Sequence, residues 1–196
     1  DSAIQNSKAF ILANQNTDGG WAWNTDGTSD TNDTAAAIMA LLETGVAKSD
    51  SSIQKAISYL KSAQNTDGGF PYDPVSPYGT DSDANSDAWV IMAITKFGED
   101  PKLWTKNGAN PIDHLLSLQD TDGGFWWMKP PADFNNKAAT ADATIALSGK
   151  SFPVGRLNLS TSAEVFFRIV GSQEEICRGV VVAKTALDVV INAADV

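Results

Sequence analysis

The sequence predicts a mainly α-helical chain: about three helical hairpins in tandem, followed by a small β-β-α segment. Three observations carry this. A seven-residue motif recurs three times, as Gln15-Asn16-Thr17-Asp18-Gly19-Gly20-Trp21, Gln64-Asn65-Thr66-Asp67-Gly68-Gly69-Phe70 and Gln119-Asp120-Thr121-Asp122-Gly123-Gly124-Phe125, at spacings of 49 and 55 residues. An amphipathic stretch precedes each motif and a nearly all-apolar stretch follows it. Beyond Pro153 the pattern changes to strand-like alternation. Repetition at such a period is the mark of stacked supersecondary units, each too small to bury its apolar face alone.

The stretch before the second motif shows the outer kind of helix. Ile53, Ala56, Ile57 and Leu60 fall at i, i+3, i+4 and i+7, which gives one apolar stripe with polar residues opposite. The paired glycines are expected to end these helices, because glycine takes the left-handed backbone of a C-cap without steric cost. The aromatic behind them (Trp21, Phe70, Phe125) is expected to fold back as an anchor. The inner kind starts at Asp33-Thr34-Ala35, Asp87-Ala88-Trp89 and Asp142-Ala143-Thr144 and is apolar nearly all round, so it must be buried on most sides. The aspartate opening each is expected to cap it. The six predicted helices run from 2 to 15, 33 to 44, 52 to 64, 86 to 97, 109 to 119 and 138 to 148. Within the tail, Val165, Phe167 and Ile169 alternate with Glu164, Phe166 and Arg168, Gly179 to Val182 suggests a second strand, and Thr185 with Asp188 reads as a capping box before a short helix. The expected domains are 1–152 and 153–196.

Composition narrows the function classes. Fourteen basic against twenty-four acidic residues give a net charge of −10, which repels nucleic acid and anionic lipid surfaces. One cysteine, Cys177, and one histidine, His114, leave no internal disulfide and no Cys- or His-rich metal cage. No apolar run approaches the roughly 20 residues of a membrane span. Asp1 rather than Met opens the chain, which points to a processing or cloning boundary that would hide any export signal.

Lys55-Ala56, Tyr59-Leu60, Gln64 and Gly68-Gly69-Phe70 resemble the QW repeat of squalene-hopene cyclases, and Lys8-Ala9, Gln15 and Gly19-Gly20-Trp21 are similar. The resemblance spans about residues 1 to 150. It implies an α/α-toroid, a ring of paired helices shared with prenyltransferase β subunits and vitamin B12 carriers; with about three hairpins the ring is expected to be partial. An array left open at its ends exposes apolar surface that needs a cap, so self-association is expected. The β-β-α tail resembles the start of the small domain that follows the ring in transcobalamin-like proteins, which implies a corrinoid as one possible ligand.

The cyclases use an Asp-x-Asp-Asp-Thr-Ala motif whose middle carboxylic acid protonates the substrate. Here the run is Asp30-Thr31-Asn32-Asp33-Thr34-Ala35, and the amide of Asn32 has no proton to give. Asp33, Asp87 and Asp142 recur once per repeat, as caps do. The prenyltransferase branch needs an Asp, Cys and His zinc site that a single Cys and a single His in different domains cannot build. His114 aligns with Phe10 and Tyr59 and reads as filling an aromatic packing slot. The acidic turns at Asp120 to Gly123 and at Asn24 to Gly27 hint at calcium, without the glutamate a calcium loop places at its twelfth position.

The loops after the glycine pairs are expected to emerge at one end of the array and to carry the function. Trp23, Tyr72, Trp126 and Trp127, with Asp30, Asp33 and Asp87, are the expected ligand contacts, for a small molecule, glycan or peptide. The expectation is a non-catalytic ligand-binding or adhesion module of a bacterial exported protein, extracellular or on the cell surface. The alternative is a class II terpene cyclase-like enzyme, and a third reading is a structural repeat scaffold.

Overall fold

In a computed structural model, residues 2–129, 137–153, 163–170 and 175–183 are described. The chain divides into two units, Asp1–Val154 and Gly155–Val196. In the first, α1 (Ser2–Ala13), α3 (Ser51–Ala63) and α5 (Pro111–Ser117) alternate with α2 (Thr31–Glu43), α4 (Ala84–Phe97) and α6 (Lys137–Leu147), and a 3₁₀ turn, Pro101–Leu103, precedes α5. The second unit holds an antiparallel pair, β1 (Ala163–Val170) and β2 (Glu175–Ala183), in register from Ala163 opposite Ala183 to Ile169 opposite Cys177, with a register shift before Val170 opposite Glu175. The helix expected over 185 to 194 lies outside the described residues. No helix among the described residues is long and apolar enough to cross a membrane.

The two helix types behave as their sequences dictate. On α3 the stripe of Ile53, Ala56, Ile57 and Leu60 is buried while Gln54, Lys55 and Ser58 face solvent. The inner helices pack side by side, α2 on α4 and α4 on α6, and bury residues around most of their circumference, Val90, Ile91, Met92, Ala93 and Ile94 in succession on α4. Phe70, fully buried behind its glycine pair, contributes about 1.5–3 kcal/mol of apolar transfer.

Two expectations need correction. The glycine pairs do not cap the outer helices. Helix α3 ends at Ala63, Gln64 is already extended (φ −60°, ψ 132°), and the first glycine of each pair closes a separate turn at φ of 94°, 89° and 89° for Gly19, Gly68 and Gly123. There its N–H donates to the carbonyl of Asn16, Asn65 or Asp120, 3.0 Å away in each case. The inner helices, for their part, begin two residues before the predicted positions, at Thr31 and Ala84. Their caps are Asp30 and Asp83, which accept from the N–H of Asp33 at 2.7 Å and of Ser86 at 2.9 Å.

Candidate functional site

The loops behind the first two glycine pairs are tied to the starts of their own inner helices, and those behind the second and third to the start of the inner helix before. Asp30 N–H donates to Trp21 O (2.9 Å) and Asp83 N–H to Phe70 O (3.1 Å), while Thr31 N–H donates to Tyr72 O and Ala84 N–H to Trp127 O, both at 2.9 Å. The loops therefore gather where the inner helices begin, and their side chains crowd the cap carboxylates.

In the first repeat the cap stands beside a cavity. Asp30 is 3% exposed. Burial, helped by the side-chain hydrogen bond with Asp33, pushes its carboxyl up to about 7, although the Asp33 N–H and the Tyr72 hydroxyl both favour the charged form. Tyr72 is itself pushed up to about 12 by burial and then by the negative charge of Asp30, so its hydroxyl keeps its proton and donates. Asp33 faces outward and lines a cavity of about 340 Å³ with Phe10, Ile11, Trp21, Trp23, Ala37 and Ala40. Asn32, where the cyclase motif has its acid, accepts a hydrogen bond from the Thr31 hydroxyl at 3.3 Å.

The second repeat handles its carboxylate differently. Asp87 is fully buried, accepts from Phe70 N–H at 2.7 Å, and meets Nδ1 of His114 at 2.5 Å; Nε2 of His114 lies 3.5 Å from Asp67. Burial pushes Asp87 up to about 6 against the pull of His114. For His114, burial opposes the charge, but the hydrogen bond and charge of Asp87 outweigh it and the net shift is upward. The slot is thus an ion-pair position rather than the aromatic packing slot expected. Tyr59, its counterpart, also uses a polar atom there, its hydroxyl donating to Ser29 O at 2.7 Å.

Hydrogen bonds also revise the alignment of the aspartates. Trp21 N–H, Phe70 N–H and Phe125 N–H donate to Thr34 Oγ1, Asp87 Oδ1 and Thr140 Oγ1, at 2.9, 2.7 and 2.9 Å. Asp87 therefore stands where Thr34 and Thr140 stand, one position past Asp33, and the caps are Asp30 and Asp83. Asp142 sits farther along α6 and accepts from Asn85 at 2.9 Å.

The expected site residues fall into separate groups. Asp33 and Trp23 line the first cavity, and Asp30 lies behind Asp33, accepting from its N–H. Tyr72 bridges from Asp30 to a smaller cavity of about 150 Å³ that it lines with Tyr78, Asp83 and Trp127. Trp126 is half-buried with its N–H on Leu118 O at 2.9 Å, and Asp87 belongs to the ion pair. Trp21, Phe70 and Phe125 are buried anchors, Trp21 donating from its indole to Ile11 O at 2.7 Å. Phe10 and Ile11 were not among the expected contacts; the signal that could have found them is the helical spacing that sets α1 against Trp21. In the acidic turns, Asp18, Asp67 and Asp122 accept from the N–H of Gly20, Gly69 and Gly124 at 2.8–2.9 Å. Among the described residues no three His, Cys, Asp or Glu side chains gather as a metal site.

Comparison with known proteins bears on this geometry. The sequence matches the squalene-hopene cyclase C-terminal domain over residues 1–135. The fold is similar to the type II terpene cyclase MstE from Scytonema (18% identity, TM-score 0.55, 75% of this chain and 41% of that one). It is also similar to the Candida albicans protein geranylgeranyltransferase-I complexed with GGPP (18% identity, TM-score 0.57, 74% and 43%). The chain thus spans about two-fifths of the length of these structures. No curated protein sequence matches it. These findings overturn the expectation of a non-catalytic adhesion module, which rested on the missing acid at Asn32, the missing zinc ligands and a transcobalamin-like tail: the match is to a cyclase domain, and nothing in it reaches residues 153–196. The α/α-toroid architecture stands, and the chain belongs to the squalene-hopene cyclase C-terminal domain family.

Proposed function

We propose that this chain is a segment of a class II terpene cyclase-like enzyme, in which Asp30 and Asp33 together, rather than residue 32, carry the proton that starts cyclisation. One observation carries the reading. A carboxyl held near neutrality by burial is hydrogen-bonded to a second carboxyl that opens onto an aromatic-lined cavity. An acid whose pKa lies near ambient pH is both protonated often enough and able to release its proton. The walls provided by Phe10, Trp21 and Trp23 are apolar enough to seat an isoprenoid chain. Their ring faces attract positive charge, by about 0.5–2 kcal/mol per well-placed ring.

A carboxyl with a pKa near 7 is a weak acid for a bare alkene, so the favoured substrate is an isoprenoid bearing a terminal epoxide, whose oxygen is the stronger base. In the step proposed, the proton passes from the pair to the epoxide oxygen and the C–O bond breaks. An internal double bond then closes on the cationic carbon, and loss of a proton from the product restores the acid. The test is incubation with a linear polyprene epoxide and mass-spectrometric detection of an isomeric cyclic alcohol. The expected result is product from the native chain and loss of at least tenfold in Asp30→Asn and in Asp33→Asn, with polyprene binding retained. Product formed equally by both variants, or polyprene bound with no product, contradicts the proposal. Asparagine serves as a helix cap as well as aspartate does, so the substitution at Asp30 removes the proton and leaves the helix start intact.

A further inference from the structure

The apolar surface beside Asp33 continues along α2. Asp33, Ala36 and Ala40 fall at i, i+3 and i+7, so they form one stripe of the helix. Ala36 and Ala40 line the cavity of about 340 Å³ that holds Asp33. They also line a second one, of about 320 Å³, completed by Met39, Trp89, Phe152 and Pro153. The two cavities thus share a floor, and alanine keeps that floor low: a side chain longer than a methyl group at either position would stand between them.

The two halves differ in chemistry. The first carries a carboxylate, Asp33, whereas every residue lining the second is apolar. The far wall of the second is an aromatic pair, Trp89 from α4 and Phe152 from the stretch behind α6, with ring centroids 5.4 Å apart and planes tilted by 38°. Both rings are half-buried and pack against the core. A surface with an acid at one end and hydrocarbon alone at the other suits a ligand of the same polarity, one basic oxygen on a long apolar chain.

We propose that the isoprenoid substrate runs from Asp33 across Ala36 and Ala40 and ends between Trp89 and Phe152, so that these two rings set the chain length the protein accepts. The proposal rests on the reading of Asp30 and Asp33 as the acid. At 1.5 Å of rise per residue the stripe from Asp33 to Ala40 is about 10 Å long. An extended carbon chain advances about 1.2 Å per bond, so two isoprene units of four bonds each cover the stripe and a third reaches the rings. The substrate class is therefore a polyprene epoxide of at least three isoprene units. Phe152 lies beyond residues 1–135, the span that matches the cyclase domain, so the length limit belongs to this chain rather than to the shared repeat.

Calorimetric binding of linear polyprenols of two, three and four isoprene units to the full chain tests this apart from the chemistry, because these alcohols carry no epoxide to open. The expected result is an affinity that rises by about tenfold or more from two units to three. The rise is lost in Trp89→Ala and in Phe152→Ala, while the two-unit alcohol binds as before. Ala36→Leu, which raises the floor between the cavities, removes the same rise and serves as a further variant if Trp89→Ala disturbs α4. Equal affinity at all three lengths, no binding at any length, or an equal loss at every length in the variants overturns the proposal, even where the epoxide is cyclised. A length dependence that the variants remove upholds it, even where no cyclic product forms. A dimer that Phe152→Ala dissociates, with polyprenol binding unchanged, would give this face to a second copy of the chain and overturn the proposal as well.

Discussion

The first and second repeats solve one problem, a carboxylate where an inner helix begins, in two ways. Both use the same backbone frame: a cap aspartate, Asp30 or Asp83, and four residues later an acceptor for the aromatic's N–H, Thr34 or Asp87. In repeat 1 the acceptor is a hydroxyl, and the second carboxylate, Asp33, falls one position earlier and faces the cavity. In repeat 2 the hydroxyl, Ser86, serves the cap, and the second carboxylate is buried under Phe70, where it needs a cation and takes His114. A shift of one residue thus separates a carboxyl pair poised beside a cavity from a carboxylate neutralised in the core.

The largest expected effect comes from breaking the second arrangement. His114→Ala leaves Asp87 buried and unpaired, which costs about 3–5 kcal/mol of unfolding free energy. Rebuilding repeat 2 in the image of repeat 1, by Asp87→Thr with His114→Tyr, is expected to recover part of the two single losses, with a coupling of about 1–3 kcal/mol in a denaturant double-mutant cycle. Simple additivity would show that the two positions do not act as a unit.

Next come the glycines. Gly68→Ala combines left-handed strain of about 1–2 kcal/mol with a backbone clash at Asn110 of about 1–3 kcal/mol, whereas Gly123→Ala meets the strain and, among the described residues, no neighbour. Equal losses on chemical denaturation would mean that the two turns are packed alike.

A smaller effect is the dependence on pH. Asp30, Asp83, Asp87 and His114 all bind their protons more tightly folded than unfolded. The native chain therefore holds more protons, and its stability falls as pH rises from about 4 to beyond 7. The carboxyls lose theirs between the ordinary 3.8 and the raised values of about 6 for Asp87 and about 7 for Asp30. The His114 contribution is full below 6.5 and is lost above that. A melting temperature that rises over this range would reverse the assignment, and Asp30→Asn should flatten the slope. Least of all, Trp23→Ala, at an 83% exposed position, should shift stability by less than about 0.5 kcal/mol while weakening polyprene binding to the first cavity.

The array was legible because its signals are local: three Gln-x-x-Asp-Gly-Gly-aromatic turns, one amphipathic helix before each and one apolar helix after. What escaped was decided across repeats. Asp33 read as the cap of its inner helix, and only the hydrogen bond from its N–H to Asp30 shows that α2 starts at Thr31 with Asp30 as the cap. The Asp-Ala pairs at Asp87 and Asp142 suggested an equivalence that the acceptors for Trp21, Phe70 and Phe125 refute. His114 looked like a packing residue because its partner lies 27 positions away. The paired change from Thr34 and Tyr59 to Asp87 and His114 was the one trace of it in the sequence. The cavity needs α1 against the first loop, a placement that periodicity alone does not give.

The central claim, that Asp30 holds a proton near neutrality beside Asp33, is tested most directly by a carboxyl ¹³C NMR titration of the aspartates. An Asp30 midpoint near 7 that moves downward in Asp33→Asn is the predicted result. A midpoint in the ordinary carboxylate range, unmoved by that substitution, would contradict it.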